Sequence, residues 1–192
     1  MIRFKIGDFM KYRLTTVDDA DQMYKLTKSI RKETTLYGYD KDFNHYKGIV
    51  ENNIGILCEY KGSLVGSVIA HNCNDVLLEM ADIPKNKNAV VFMNFQVNEN
   101  YRGMGIGYSL IRNICLAMIT CSSDCDYAVA TVGTKNIASL KSFFKAGFEV
   151  VNSRVFSDGK SRYILRRSLR DAKDLVPRVQ NIFGKLEVQH LV

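Results

Sequence analysis

The run Arg102-Gly103-Met104-Gly105-Ile106-Gly107 stands between a β-rich segment, Ala89 to Val97, and a segment whose apolar residues Leu110, Ile111, Ile114, Cys115 and Met118 recur at three- and four-residue steps. The first reads as a strand and the second as an amphipathic helix, so the glycines mark a strand-to-helix turn. Glycine lets the backbone take positive φ and lets a ligand approach the main chain closely. A helix N-terminus behind such a turn presents unpaired N–H groups and the positive end of the helix dipole, which suit an anion such as a pyrophosphate. Arg102 adds a fixed positive charge at the same place. One kind of phosphate site is excluded and a second fits poorly. A Walker loop ends in Gly-Lys-Ser/Thr, whereas Gly107 is followed by Tyr108-Ser109. A dinucleotide loop wants G-x-G-x-x-G and an acid about 20 residues on, at the C-terminal end of the next strand. Here the glycines alternate, and Asp124 and Asp126 lie before the next strand.

The 192 residues, 46% of them hydrophobic and 24% charged, suffice for one sizeable core. The longest interior apolar run, Ala89 to Met93, is far short of the roughly 20 residues needed to cross a bilayer. Charges in Met1 to Asp8 interrupt any apolar signal core, which leads to the expectation of a cytoplasmic protein without membrane association. Five cysteines, with no second pair to join the C-x3-C of Cys121 and Cys125, read as reduced thiols, and no metal site is expected. Residues 154–192 hold nine Lys/Arg against four acids, which is +5 of the net +7. Such a bias suits an acidic partner, but no aromatic-interleaved surface or recognition helix accompanies it, which argues against nucleic acid.

Periodicity gives the rest of the order. A strand at Tyr12 to Thr15 precedes a helix capped by Asp18-Asp19, with the stripe Met23, Leu26 and Ile30. After a loop with Tyr37 and Tyr39 comes a second helix, Phe43 to Val50, then the hairpin Ile54–Tyr60 and Leu64–Ala70 turning at Lys61-Gly62. Asn72 to Asn88 reads as a polar loop. Beyond the glycine-loop helix follow a strand, Tyr127 to Val132, a helix opened by Asn136 and closed by Gly147, and two strands, Phe148–Phe156 and Arg162–Leu169, turning at Asp158-Gly159. The order β-α-α-β-β-β-α-β-α-β-β predicts a mixed α/β fold, a central and mostly antiparallel sheet flanked by helices. Leu175, Val179, Ile182 and Leu186, with Pro177 and Gly184 at the ends, predict a short amphipathic segment that packs on the core, contacts a second subunit in a homodimer or walls the substrate site. Residues 1–169 are thus expected to form the domain and residues 170–192 an extension.

The loop resembles the acetyl-CoA loop of the GNAT superfamily of N-acetyltransferases, Arg/Gln-x-x-Gly-x-Gly/Ala, with Arg102, Gly105 and Gly107 in place. Val97 to Gly103 is similar to the family's entry into that loop. Asn136 to Phe148, an Asn followed by Gly-Phe eleven and twelve residues later, is similar to its second motif. The resemblance covers residues 12 to 169 and implies a GNAT fold with acetyl-CoA as co-substrate. It implies a pantetheine arm between splayed strands, bonded to main chain near Phe95, Gln96 and Val97. The pyrophosphate would lie on the N–H groups of Gly103, Met104, Gly105, Ile106 and Gly107, with Arg102 and Tyr108 beside it and Asn136 and the Phe143 face at the thiol end. The reaction implied is direct attack on the thioester by a primary amine of a small molecule or peptide.

The sequence departs from that pattern at two places. Where the family often has an acid tyrosine, this chain has Phe143, and the strand before the loop holds no Glu or His. Asn94 can orient a water but not accept a proton usefully. His71, Glu79 and Glu99 are candidate bases, and Tyr37, Tyr39 or Tyr108 candidate acids, although Tyr108 equally suits packing at the helix start. The alternative is a GNAT-like domain that binds acyl-CoA without turnover.

Overall fold

The computed structural model describes residues 10–31, 43–122 and 124–172. The expected acid candidates Tyr37 and Tyr39, the stretch Met1 to Asp8 and the amphipathic segment from Leu175 lie outside them. In chain order the elements are β1 (Met10–Leu14), α1 (Ala20–Arg31), α2 (Phe43–Asn52), β2 (Ile54–Tyr60), β3 (Ser63–Asn72), α3 (Asp75–Met80), β4 (Asn88–Val97), α4 (Ile106–Cys121), β5 (Cys125–Gly133), α5 (Ile137–Lys145), β6 (Glu149–Val155) and β7 (Ser161–Ser168). The predicted order holds with one addition. The stretch expected as a polar loop contains α3, capped by Asn74, whose side chain accepts from the Leu77 N–H.

The seven strands form one sheet in the order β1-β2-β3-β4-β5-β7-β6. Every neighbouring pair is antiparallel except β4 with β5, as expected for a mixed, mostly antiparallel sheet. Lys61 and Gly62 turn the β2–β3 hairpin, both at positive φ. Alternation along the strands sends side chains to two cores. Ile56, Cys58, Val68, Ala70, Val90, Phe92, Ala128 and Ala130 pack with α4 and α5 on one face. Leu57 and Ile69 meet α1 and α2 on the other, and Ala89, Val129 and Ile164 meet α3 there.

The start of α1 differs from expectation. Residues Val17–Asp19 form a single 3-10 turn capped by Thr16, and Asp19 is a first-turn residue rather than the cap. Its carboxylate accepts the Thr16 N–H at 2.7 Å and the Thr16 hydroxyl at 2.9 Å, the reach-back half of a capping box. No helix among the described residues is long and apolar enough to cross a membrane.

Candidate active site

β4 and β5 run together only from Asn88↔Cys125 to Val91↔Val129. β4 then continues on β3 as far as Val97, while β5 continues on β7 to Gly133. The two central strands therefore part at their C-terminal ends and leave a wedge, the place where open sheets with parallel central strands bind ligands. At its mouth the chain makes a 3-10 turn, Glu99–Tyr101, which the Asn98 side chain caps by accepting the Asn100 N–H. The Arg102 Nε donates to Val97 O at 3.3 Å, and the residue is exposed.

Gly103 and Gly105 have φ of +78° and +82°, a region costly for other residues, and a Cβ built on either would meet nothing within 4 Å. The glycines are thus required by backbone conformation and leave an open approach to the main chain. Gly105 is the N-cap of α4 and offers no side chain to its first turn. The first helical bond runs from Ser109 N–H to Gly105 O at 3.1 Å. The N–H groups of Ile106, Gly107 and Tyr108 precede it, in the position where a helix leaves donors for an anion. Ile106 and Met104 carry the loop's apolar side, Ile106 buried and Met104 packed against the core. A Cβ on Gly107 would stand 3.2 Å from Phe95 Cζ and from Ser142 Oγ, so the helix start is pressed between β4 and α5. The Lys145 ammonium lies 4.6 Å above the Tyr108 ring and adds positive charge to this end of α4. These residues fit the pyrophosphate of a CoA ester.

Within the wedge wall, β4 carries a bulge. Ser67 pairs with Gln96 and Ile69 with Met93, so Asn94 and Phe95 oppose the single residue Val68, and Asn94 takes φ of +48°. The Asn94 Nδ2 is buried with no hydrogen-bond partner. Gln96 is 8% exposed, with its amide bonded to Thr27 and Ser67. Phe95 stacks edge-on with Phe143 at 5.3 Å.

The other candidates are dispersed. His71 lies within β3, opposite Val91 and so about 10 Å along the strand from Asn94; it is exposed and its Nδ1 meets Asn53 Oδ1 at 2.7 Å. Glu79 is on α3 rather than in a loop, and exposed. That helix packs at Ala89, about 16 Å along β4 from Asn94. Glu99 lies exposed in the turn before the loop. Asn136 caps α5, its Oδ1 accepting the Ser139 N–H at 3.2 Å. Phe143 is 2% exposed, enclosed by Phe92, Phe95 and Phe148, whereas Phe144 is largely exposed.

Thiol chemistry is disfavoured. Burial pushes Cys58 and Cys125 up to about 11 and Cys73 up to about 12, leaving them protonated at neutral pH. The exposed Cys121 ends α4, about 22 Å from the glycine loop. No group of three or more metal-ligating side chains occurs among the described residues.

Thr27, Tyr46 and Ser67 surround Gln96 and were not singled out in the sequence. Two of them carry a signal: Thr27 falls on the apolar stripe of α1, and Ser67 interrupts the apolar run of β3.

A family model described as the acetyltransferase (GNAT) family matches residues 18–148. No curated protein matches the sequence. Among solved structures, the fold is similar to an acetyltransferase of the GNAT family from Streptococcus pneumoniae, at a TM-score of 0.67 and 15% identity over 83% of this chain and 98% of that one. Arabidopsis thaliana NAA60 in complex with acetyl-CoA gives 0.67 and 14% over 84% and 99%. The ribosomal-protein-S18-alanine N-acetyltransferase from Escherichia coli gives 0.62 and 12% over 83% and 94%. With its glycine loop, its parted central strands and a family match across most of its length, the chain belongs to the GNAT acetyltransferase family.

Proposed function

We propose that the chain is an acetyl-CoA-dependent N-acetyltransferase whose acceptor is a primary amine of low pKa, on a small molecule or a peptide α-amine. The observation that carries this reading is the wedge between β4 and β5, closed at its mouth by the loop from Gly103 to Gly107. Acetyl-CoA supplies a thioester that an amine can attack directly. The loop N–H groups and Arg102 hold its pyrophosphate, and the β4 main chain from Phe95 to Val97 lines the arm. Neighbours solved with acetyl-CoA or with a bisubstrate analogue support the same use of the fold.

The preference for a weakly basic amine follows from the poverty of bases at the bulge among the described residues. His71 and Glu79 stand away from it, Glu99 lies exposed in the turn beyond β4, and Asn94 cannot take a proton. A lysine-type amine of pKa about 10.4 is neutral in roughly one molecule in 2,500 at pH 7, a deficit of about 4.6 kcal/mol, against about 1 kcal/mol for an α-amine of pKa about 7.7 to 8. The site therefore favours an acceptor that arrives largely deprotonated. Thiol release over an amine panel, with calorimetry of CoA and acetyl-CoA, is expected to show acetyl-CoA binding and faster turnover with α-amines and low-pKa amines. Acetylation confined to lysine side chains would overturn the preference, and binding without any turnover would leave the alternative, an acyl-CoA-binding protein, favoured by Phe143. We place this activity in residues 1–169, with 170–192 appended, in the cytoplasm.

Phe143 gives a separate expectation. Phe143→Tyr puts a hydroxyl among Phe92, Phe95 and Phe148, where nothing on those rings can bond it. The variant should lose about 1–3 kcal/mol of stability, read by thermal melting, with no gain in CoA release. A faster variant would show that position 143 opens to the leaving thiol.

A further inference from the structure

Four side chains from four elements form one hydrogen-bonded chain beneath the β4 bulge. Tyr46 Oη on α2 meets Thr27 Oγ1 on α1 at 2.7 Å, and Thr27 Oγ1 meets Gln96 Oε1 on β4 at 3.0 Å. Gln96 Nε2 meets Ser67 Oγ on β3 at 3.0 Å, and Ser67 Oγ meets the main-chain oxygen of Asn94 at 3.2 Å. All four residues are at most 8% exposed. A polar chain this deep in an apolar fold is costly unless each member is satisfied.

With the Gln96 amide oxygen toward Thr27 and its nitrogen toward Ser67, the direction of both Ser67 bonds follows. Gln96 Oε1 only accepts, so Thr27 gives its proton there or to Met23 O, 3.0 Å away, while accepting from Tyr46. Gln96 Nε2 only donates, so Ser67 accepts from it and has its single proton free for Asn94 O. With the amide turned over, Ser67 would donate to Gln96 instead, and Asn94 O would lose its donor. The Gln96 amide thus decides whether the bulge carbonyl is held. That carbonyl shares a rigid trans peptide with the Phe95 N–H, and the two point opposite ways. Holding Asn94 O against Ser67 sets the Phe95 N–H away from it, in a backbone whose Asn94 is at φ of +48° and has no glycine to make that conformation easy.

We infer that Gln96, acting through Ser67, is a positioning residue that fixes the Asn94–Phe95 peptide in the wall of the wedge for acyl transfer, with Thr27 and Tyr46 tying that peptide to α1 and α2. The inference rests on the acetyltransferase reading above. It takes the Gln96 side chain, as distinct from its main chain, to serve the rate of transfer rather than the capture of CoA.

The test is Gln96→Glu, which keeps the shape and changes only the protons. Once ionised, the new carboxylate accepts from both hydroxyls, so Ser67 turns to it and releases Asn94 O. Protonated, the carboxyl can donate to Ser67 and accept from Thr27 as the amide does, and burial favours this neutral form. The expected result is a fall in kcat of about tenfold or more at pH 8, with CoA affinity by calorimetry and KM for acetyl-CoA within about twofold of wild type. The deficit should shrink as pH is lowered toward 6. Ser67→Ala should show the same loss with no recovery at low pH, and Thr27→Val, which leaves the Ser67 branch intact, a smaller one. A wild-type rate in Gln96→Glu, or a loss that follows CoA affinity, overturns the inference while leaving the acetyltransferase reading standing. A wild-type protein that binds acetyl-CoA and acetylates no amine overturns both.

Discussion

Gly105→Val is expected to weaken CoA binding by about 30- to 150-fold while lowering Tm by only a few degrees. The free-energy equivalent is about 2–3 kcal/mol, the range of one or two hydrogen bonds to a charged group. Gly105 sits at φ of +82° at the N-cap of α4, and a Cβ there meets no protein atom within 4 Å. The folded protein therefore loses no packing, only the strain of a left-handed residue, about 1–2 kcal/mol, or about 2–4 °C for each kcal/mol in a chain of this size. On the proposed reading, the same empty space is the approach by which an anion reaches the N–H groups of the loop. A branched side chain fills it and turns those donors. Gly159 provides the control, because it too has positive φ, +72°, and open space around a Cβ, but turns β6 into β7. Gly159→Val should match the melting shift and leave CoA binding unchanged. Equal loss of binding in the two variants, measured by calorimetry, would mean that the Gly105 effect is only loss of fold.

Much of this arrangement can be read from the chain because strong local signals coincide with it. Lys61-Gly62 between two alternating runs made the hairpin plain, and the steps from Leu110 to Met118 fixed α4 directly after its glycines. α3 escaped because its six residues, Asp75 to Met80, span less than two turns, too few for the apolar steps from Val76 and Leu77 to Met80 to recur. The bulge in β4 escaped for a different reason. The residues on the α4–α5 face step from Val90 and Phe92 to Phe95 and Val97, a spacing of three where a regular strand allows only even steps. That shift of one residue turns Gln96 inward against α1, where alternation from Val90 would have pointed it to the face of α4.

Charge was the least legible feature. Much of the C-terminal excess is engaged within the fold: Arg162 pairs with Asp158, Arg166 with Glu149 at 3.2 Å, and Arg170 with Asp126. Arg167 is buried and donates to Ala146 O. Such partners cannot be inferred from counts of Lys and Arg. Arg102 differs, since it is exposed, its Nε donates to Val97 O, and it directly precedes the glycines at the mouth of the wedge.

Asp19→Asn should be the most destabilising polar change at the α1 side of the sheet. Asp19 is 3% exposed and receives the Arg13 guanidinium in bidentate fashion at 2.7 and 2.6 Å, besides the two Thr16 donors. Arg13 also reaches Glu59 on β2 at 2.7 Å, so one guanidinium ties β1, β2 and the start of α1 together. Removing one partner of a buried pair typically costs 3–5 kcal/mol, and because Arg13 remains partly hydrated we expect about 2–3 kcal/mol, a fall in Tm of about 4–12 °C. The effect should depend on pH. Burial alone would raise the Asp19 carboxyl, but the Arg13 guanidinium and the Thr16 donors outweigh it and hold the group below the ordinary carboxylate range. A group lowered in the folded state stabilises fully above its unfolded pKa, about 3.9, and loses that contribution as pH falls through the folded value. The gap in Tm between wild type and Asp19→Asn should therefore be constant from pH 8 to about 5 and close below about 4. A gap that persists undiminished into acid would mean that the carboxylate's charge is unimportant and that Asp19 acts only as a neutral cap. Because α1 also carries Thr27, the variant should slow acyl transfer in proportion to how far the loosened helix start releases that hydroxyl from Gln96.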